Sequence, residues 1–117
     1  MTTRNQRLGS WGEQAAAEYL TQGGYEIQAR NVRTPFGEID LIAHKDESTI
    51  FVEVKARSSK SLGPPEMAVT PRKQAHMLAC AEHYAQQNAI DHWHIDVIAV
   101  QVIDGKTEIV HFENAIS

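Results

Sequence analysis

The chain has 117 residues, 42% of them hydrophobic and 22% charged, enough for one domain with its own core and too evenly mixed for a disordered or fibrous chain. No run approaches the eighteen apolar residues of a membrane span, no apolar signal region follows the polar N-terminus, and one cysteine excludes a disulfide framework, so a cytoplasmic protein is expected. The net charge of −4 argues against a uniformly basic nucleic-acid binder, but ten of the eleven basic residues lie in residues 1–73, so any nucleic acid is expected to meet that part of the chain.

In chain order, Leu8, Trp11, Ala15 and Tyr19 recur at helical spacing, widened by Ala16, Ala17 and Leu20, before Gly23-Gly24. This predicts a first helix over about residues 5–22. Gly9 and Gly12 cost that helix stability, which suggests a close approach to a sheet or a phosphate backbone. Strands are predicted over 25–32, 36–44 and 48–57, the last two joined by a tight turn at Asp46-Glu47. Residues 58–65 have loop composition. Thr70-Pro71 is an N-cap followed by a first-turn proline, opening a second helix over about 71–88. His94 to Ile103 is a strand whose Val97–Val100 run suits burial on both faces. Asp104-Gly105 is a turn before a last strand, Thr107 to Phe112. The expected architecture is α/β, in the order αβββαββ, as one domain over 1–117.

The middle hairpin carries the chemistry. A turn centred between Asp46 and Glu47 sets Asp40 opposite Glu53 and Glu38 opposite Lys55. In that register Ile39, Leu41 and Ala43 share an apolar face with Ile50, Val52, Val54 and Ala56, whereas a slip by one residue drives charge into the core. Two carboxylates placed side by side repel, and either a shared proton or a divalent cation must offset the cost. Two carboxylates, waters, phosphate oxygens and the Val54 carbonyl form a ligand set that Mg²⁺ accepts. Lys55 then brings positive charge to a phosphate or an attacking water. The plainer reading is a solvent-facing hairpin with a Glu38–Lys55 ion pair. Glu13, at the edge of the first helix's apolar stripe, is placed either at the rim or over the neighbouring sheet.

The segments G-E-x-A-A-A-x-Y-L at 12–20, R-N-V-R at 30–33, G-E-I-D-L-I-A at 37–43, F-V-E-V-K-A-R at 51–57, P-x-x-A-V at 65–69 and D-V-I at 96–98 resemble the YraN family of predicted endonucleases. That family is similar to the PD-(D/E)xK nucleases and, among them, to archaeal Holliday junction resolvases. The resemblance implies a restriction-endonuclease-like αβββαβ core with a mixed sheet, here followed by an extra strand. It implies a metal-dependent endonuclease acting on DNA, with branched or flapped DNA as candidate substrates and Mg²⁺ or Mn²⁺ as cofactor. Catalytic roles fall on Glu13, Asp40, Glu53 and Lys55, with Glu13, Asp40 and Glu53 toward the metal. Ile39 stands where the superfamily has its proline. DNA without a membrane is the expected partner, and a homodimer is left open. The alternative is a non-catalytic nucleic-acid- or protein-binding module that keeps this fold.

Arg30, Arg33, Arg57, Lys60, Arg72 and Lys73 are the candidate phosphate contacts, and Asn31 reads as a turn residue between arginines. Glu38 and Asp96 are further acids that could join the site, although Asp96 fits an ion pair at strand entry better. His76, Cys80 and His83 share a helix face and have zinc-ligand chemistry, but lack a fourth ligand and fit packing better. His92 and His94 read the same way. No phosphate-cradling glycine loop and no series of stacking aromatics is visible, which disfavours a nucleotide-binding enzyme or a single-strand binder.

Overall fold

The structure is a computed structural model that describes residues 4–57 and 69–116, with the side chains of 4–7 left aside. The elements are α1 (Arg4–Gln22), β1 (Glu26–Thr34), β2 (Gly37–Lys45), β3 (Ser48–Arg57), α2 (Pro71–Gln87), β4 (Trp93–Ile103) and β5 (Lys106–Ile116). The expected order is present. The five strands form one sheet in the order β1-β2-β3-β4-β5, with β3 and β4 parallel and the other pairs antiparallel. Among the described residues no helix is long and apolar enough to cross a membrane. The predicted loop at 58–65, with Lys60 in it, lies outside the described residues.

Local chemistry explains the hairpins and α2. Asp46 and Glu47 both have positive φ, 51° and 64°, the two-residue geometry whose twist matches antiparallel strands. It sets Leu41 opposite Val52 and Lys45 opposite Ser48, which is the register the apolar pattern selects. At α2 the Thr70 side chain accepts from the Lys73 N–H, and Pro71 takes the first turn.

The sheet is covered on both faces. Ala16, Ala17 and Leu20 of α1 pack on Leu41, Ile50, Val52, Ile98 and Val100. On the other face Cys80, Ala81 and Ala85 of α2 pack on Ile42, Phe51, Ile95 and Val97. The alternation of Ile95 and Val97 with Ile98 and Val100 between the two clusters is what the unbroken apolar run of β4 predicts. The second face of the hairpin is therefore apolar at Ile42 and Phe51 and polar toward both ends, at His44 and Thr49 and at Asp40 and Glu53. Ile39 was expected beside Leu41 but joins the α2 side. The β1–β2 ladder skips Asn31 and Asp40, and Asn31 has a φ of 52°, so simple alternation fails there. β5 runs four residues beyond the predicted Phe112. Its pairing shifts between Ile95 and Val97, and the fully buried Asp96 accepts the Asn114 N–H at 2.8 Å, which stabilises this irregular extension.

Of the two glycines in α1, only Gly12 meets the sheet. A Cβ there would lie 2.6 Å from the Ala56 Cβ and 3.6 Å from Val54, whereas nothing lies within 4 Å of one built on Gly9. The Ala56 Cβ is fixed to the backbone and cannot swing away. Gly12→Ala is expected to cost about 1–3 kcal/mol of stability through overpacking, while Gly9→Ala leaves stability unchanged or raises it by up to about 1 kcal/mol. Urea denaturation of the two variants checks this. Equal effects would mean that α1 does not press on β3 at Gly12.

Candidate active site

β2 and β3 part company at the candidate site. Their pairing ends at Leu41↔Val52, yet β2 continues along β1 to Gly37 and β3 continues along β4 to Arg57. The sheet therefore forks, and the polar ends of the two strands flank the opening. At the fork the Asp40 carboxylate replaces a backbone acceptor: its Oδ2 takes the Val54 N–H at 2.8 Å. This contact fixes Asp40 against β3 just beyond Glu53.

Glu53 is 8% exposed. Burial, the negative charge of Asp40 and a hydrogen bond with Asp40 push its pKa up to about 8, against the pull of Lys73 and Lys55. Glu53 is thus the acid that holds a proton beside Asp40, one of the two ways, with a divalent cation, in which the predicted register could offset the repulsion. Lys55 follows on the same face of β3. Burial, then a contact with Lys73 and its charge, lower its pKa, while Glu53 and Asp40 oppose the shift. Lys73 reaches in from the first turn of α2, with its Nζ 3.7 Å from Glu53 Oε2.

Glu13 comes from α1, on the far face. The close approach of its neighbour Gly12 to Ala56 carries the helix toward the fork. Burial first, then the charges of Asp40 and Glu38, raise the Glu13 pKa, and a hydrogen bond from Asn31 opposes this. With its nitrogen turned toward the acids, the orientation that satisfies both ends of the amide, Asn31 donates to Glu13 Oε1 at 3.1 Å and Glu38 Oε1 at 3.3 Å. Asn31 was read as a turn residue. It lies within β1, and its left-handed backbone lets one side chain serve both acids. The available signal was an asparagine inside a strand, since asparagine tolerates positive φ better than most residues.

The expected Glu38–Lys55 pair does not form. Where β2 and β3 diverge, Glu38 turns to β1 and lies 3.9 Å from Arg33. The other predicted cations differ in environment. Arg30 donates to Gln14 Oε1 at 2.9 Å, the Arg33 side chain is 91% exposed, and Arg57 is buried and so has little surface to offer a phosphate backbone. Arg72 and Lys73 line a groove of ≈ 500 Å³ with Phe36, Glu38, Asp40, Glu53 and His76. Asp96 faces away from this groove and pairs with His111 at 2.7 Å and His94 at 3.4 Å. Cys80 is core, next to the Thr34 hydroxyl, while His76 is exposed on the groove and His83 meets the Phe36 ring, so the three do not form a ligand cluster.

Among the described residues no three His, Cys, Asp or Glu side chains converge closely enough to hold an ion unaided. Glu13 lies in the electrostatic field of Asp40 without closing such a trio. A site with two carboxylates fits a hard cation that keeps most of its waters, Mg²⁺ or Mn²⁺, rather than one needing a closed protein cage. Buried Glu53, its pKa raised beside Asp40, is the group whose ionisation a cation would favour.

A family model described as uncharacterised protein family UPF0102 matches residues 12–100. The chain belongs to UPF0102. That span contains Glu13, Asp40, Glu53, Lys55 and Lys73. A UPF0102 protein of Syntrophomonas wolfei is 44% identical over 95% of this chain and 98% of its own length. One from Alkaliphilus oremlandii is also 44% identical, over 95% and 98%. One from Dehalococcoides mccartyi is 36% identical over 99% and 98%. The likeness of this UPF0102 chain to these three relatives thus covers at least 95% of it.

Proposed function

We propose that this protein is a metal-dependent endonuclease that hydrolyses DNA phosphodiester bonds, with branched or flapped DNA as its preferred class. The observation that carries this reading is the fork between β2 and β3, where Asp40 accepts the Val54 N–H beside the buried, proton-sharing Glu53 and Lys55 follows on the same face. A binding module has no need of a buried glutamate that holds its proton to about pH 8 beside a second carboxylate.

Asp40 and Glu53 would hold Mg²⁺ or Mn²⁺, which when bound makes water a stronger nucleophile and stabilises charge on phosphate oxygens. In the reaction a water oxygen forms a bond to phosphorus and gives up a proton to solvent, while the bond from phosphorus to one bridging sugar oxygen breaks and that oxygen leaves with the bonding pair and takes up a proton from solvent. Lys55 faces the charge that builds on the phosphate. Glu13, held by Asn31, orients water at the site's far wall. Arg72 and Lys73, on the groove, position the backbone.

The test is a panel of linear, single-stranded, flapped and four-way DNA, incubated with Mg²⁺ or Mn²⁺. The wild type is expected to cut at least one substrate, and Glu53→Ala to lose at least about a hundredfold in rate. A wild type that cuts nothing under any condition, yet binds DNA, makes the protein a binding module.

A further inference from the structure

Phe36 lies outside the chemistry just described but in the same groove. Among the described residues only Tyr19 and Phe36 are large hydrophobics left exposed, Phe36 at 53%. The Tyr19 hydroxyl meets His111 Nδ1 at 3.1 Å, which accounts for its position. Phe36 has no such partner toward the groove. It sits at the tip of the β1–β2 hairpin, and the turn beneath it is tightly held. Its N–H donates to Thr34 Oγ1 at 3.1 Å, and that hydroxyl lies 2.8 Å from the Gly37 carbonyl and 3.3 Å from Cys80 Sγ on α2. Gly37 has a φ of 140°, and a Cβ there would lie 3.4 Å from that sulfur, so the turn is pressed against the helix. His83 meets the ring edge-to-face at 5.9 Å, which fixes its orientation.

We infer that Phe36 is a stacking platform for one unpaired nucleobase and selects DNA with a break in base pairing next to the cut. The inference rests on reading the groove as a DNA site. Phe36 lines it with Arg72 and Lys73 and with the carboxylates of Glu38, Asp40 and Glu53, so two cations for the backbone, the acids of the proposed cleavage site and a flat apolar ring for a base share one surface. Bases within a duplex stack on each other and show only their edges. A ring face is available to Phe36 only where pairing stops, at a flap, fork or junction. A single platform suits such a boundary, whereas tracking a long single strand takes a row of aromatics.

The test is binding, measured by fluorescence anisotropy with Ca²⁺ in place of Mg²⁺, of forked DNA and of a fully paired duplex of the same length. Wild type is expected to prefer the fork by about tenfold or more. Phe36→Ala should reduce that preference to about twofold or less with unchanged duplex affinity, and Phe36→Trp should retain it. Unchanged thermal midpoints show that the variants fold. Equal preference in wild type and Phe36→Ala overturns the inference. So does sedimentation showing that Phe36→Ala dissociates a dimer, which would assign the ring to a second copy. A protein that prefers forks through Phe36 but never cuts overturns the nuclease reading alone. One that cuts forks and duplexes equally, with Phe36→Ala no different, overturns this inference alone. Absence of DNA binding overturns both.

Discussion

Lys55→Ala is expected to lower the cleavage rate by about a hundredfold to a thousandfold while metal affinity and DNA affinity stay within a few-fold of wild type. The ammonium is half-buried, and burial together with Lys73 already lowers its pKa. A charge partly withdrawn from water interacts more strongly with developing charge than one fully solvated. Loss of such preorganised charge typically costs roughly 3–4 kcal/mol in the transition state. Because the charge on the phosphate grows mainly in the transition state, the loss should appear in kcat rather than in KM. Lys55→Arg is expected to rescue poorly, since a planar guanidinium does not fit where Lys73 and Glu53 crowd a compact ammonium. The simple surface explanation for Lys55 has lost its partner, because Glu38 lies beside Arg33. Single-turnover cleavage and equilibrium binding on the same substrate decide the matter. A Lys55→Ala protein that cuts at the wild-type rate would remove Lys55 from the chemistry.

The second large effect is on stability, and it needs no substrate. With its pKa pushed up to about 8 in the folded protein, against an ordinary glutamate value of 4.5, Glu53 binds its proton more tightly folded than unfolded. Its contribution to stability is therefore fully present below about pH 4.5 and declines as pH rises, reaching its minimum above about pH 8. Without metal, Glu53→Gln should remove this decline. At pH 8 to 8.5 the variant is expected to be more stable than wild type by about 3 kcal/mol, a rise in melting midpoint of about 10 °C. At pH 4.5 the two should melt together. Excess Mn²⁺ at pH 8 should raise the wild-type midpoint and leave the Glu53→Gln midpoint nearly unchanged, because the cation replaces the shared proton. Melting curves of the two proteins over pH 4.5–8.5, with and without Mn²⁺, check both halves. A wild type that is more stable than Glu53→Gln at pH 8 without metal would mean that the pair is not under the strain described.

The two predictions depend on features legible to different degrees in the residues. The element order and the register from residue 41 to residue 52 follow from short-range rules: helical spacing in α1, a proline-capped α2, a two-residue turn and an apolar pattern that only one pairing keeps out of water. These fix Asp40 near Glu53 and Lys55 on the face of Glu53. Such rules stop where strands cease to be regular. Nothing local marks the end of the β2–β3 ladder, because the fork arises when β2 stays with β1 and β3 stays with β4. Once the fork opens, Glu38 goes to Arg33 instead of Lys55, and Asp40 takes the Val54 N–H.

Three-dimensional packing also chose the residues that complete the site. Lys73 and Glu53 are twenty residues apart and meet because α2 crosses the sheet with its first turn over the carboxylates. Asn31 and Glu13 belong to different elements and meet because α1, able to approach at Gly12, brings the acid to the fork. Phe36 reads as the first residue of the strand predicted over 36–44, but it lies in the turn before Gly37, at a hairpin tip pinned to Cys80 of α2. The helix and strand pattern and the acidic pair were legible in the residues, since spacing, caps and contacts between neighbours on one hairpin set them. The cations, amide and ring around that pair were not, because those contacts form between elements whose relative placement is set by two separate hydrophobic clusters on opposite faces of the sheet.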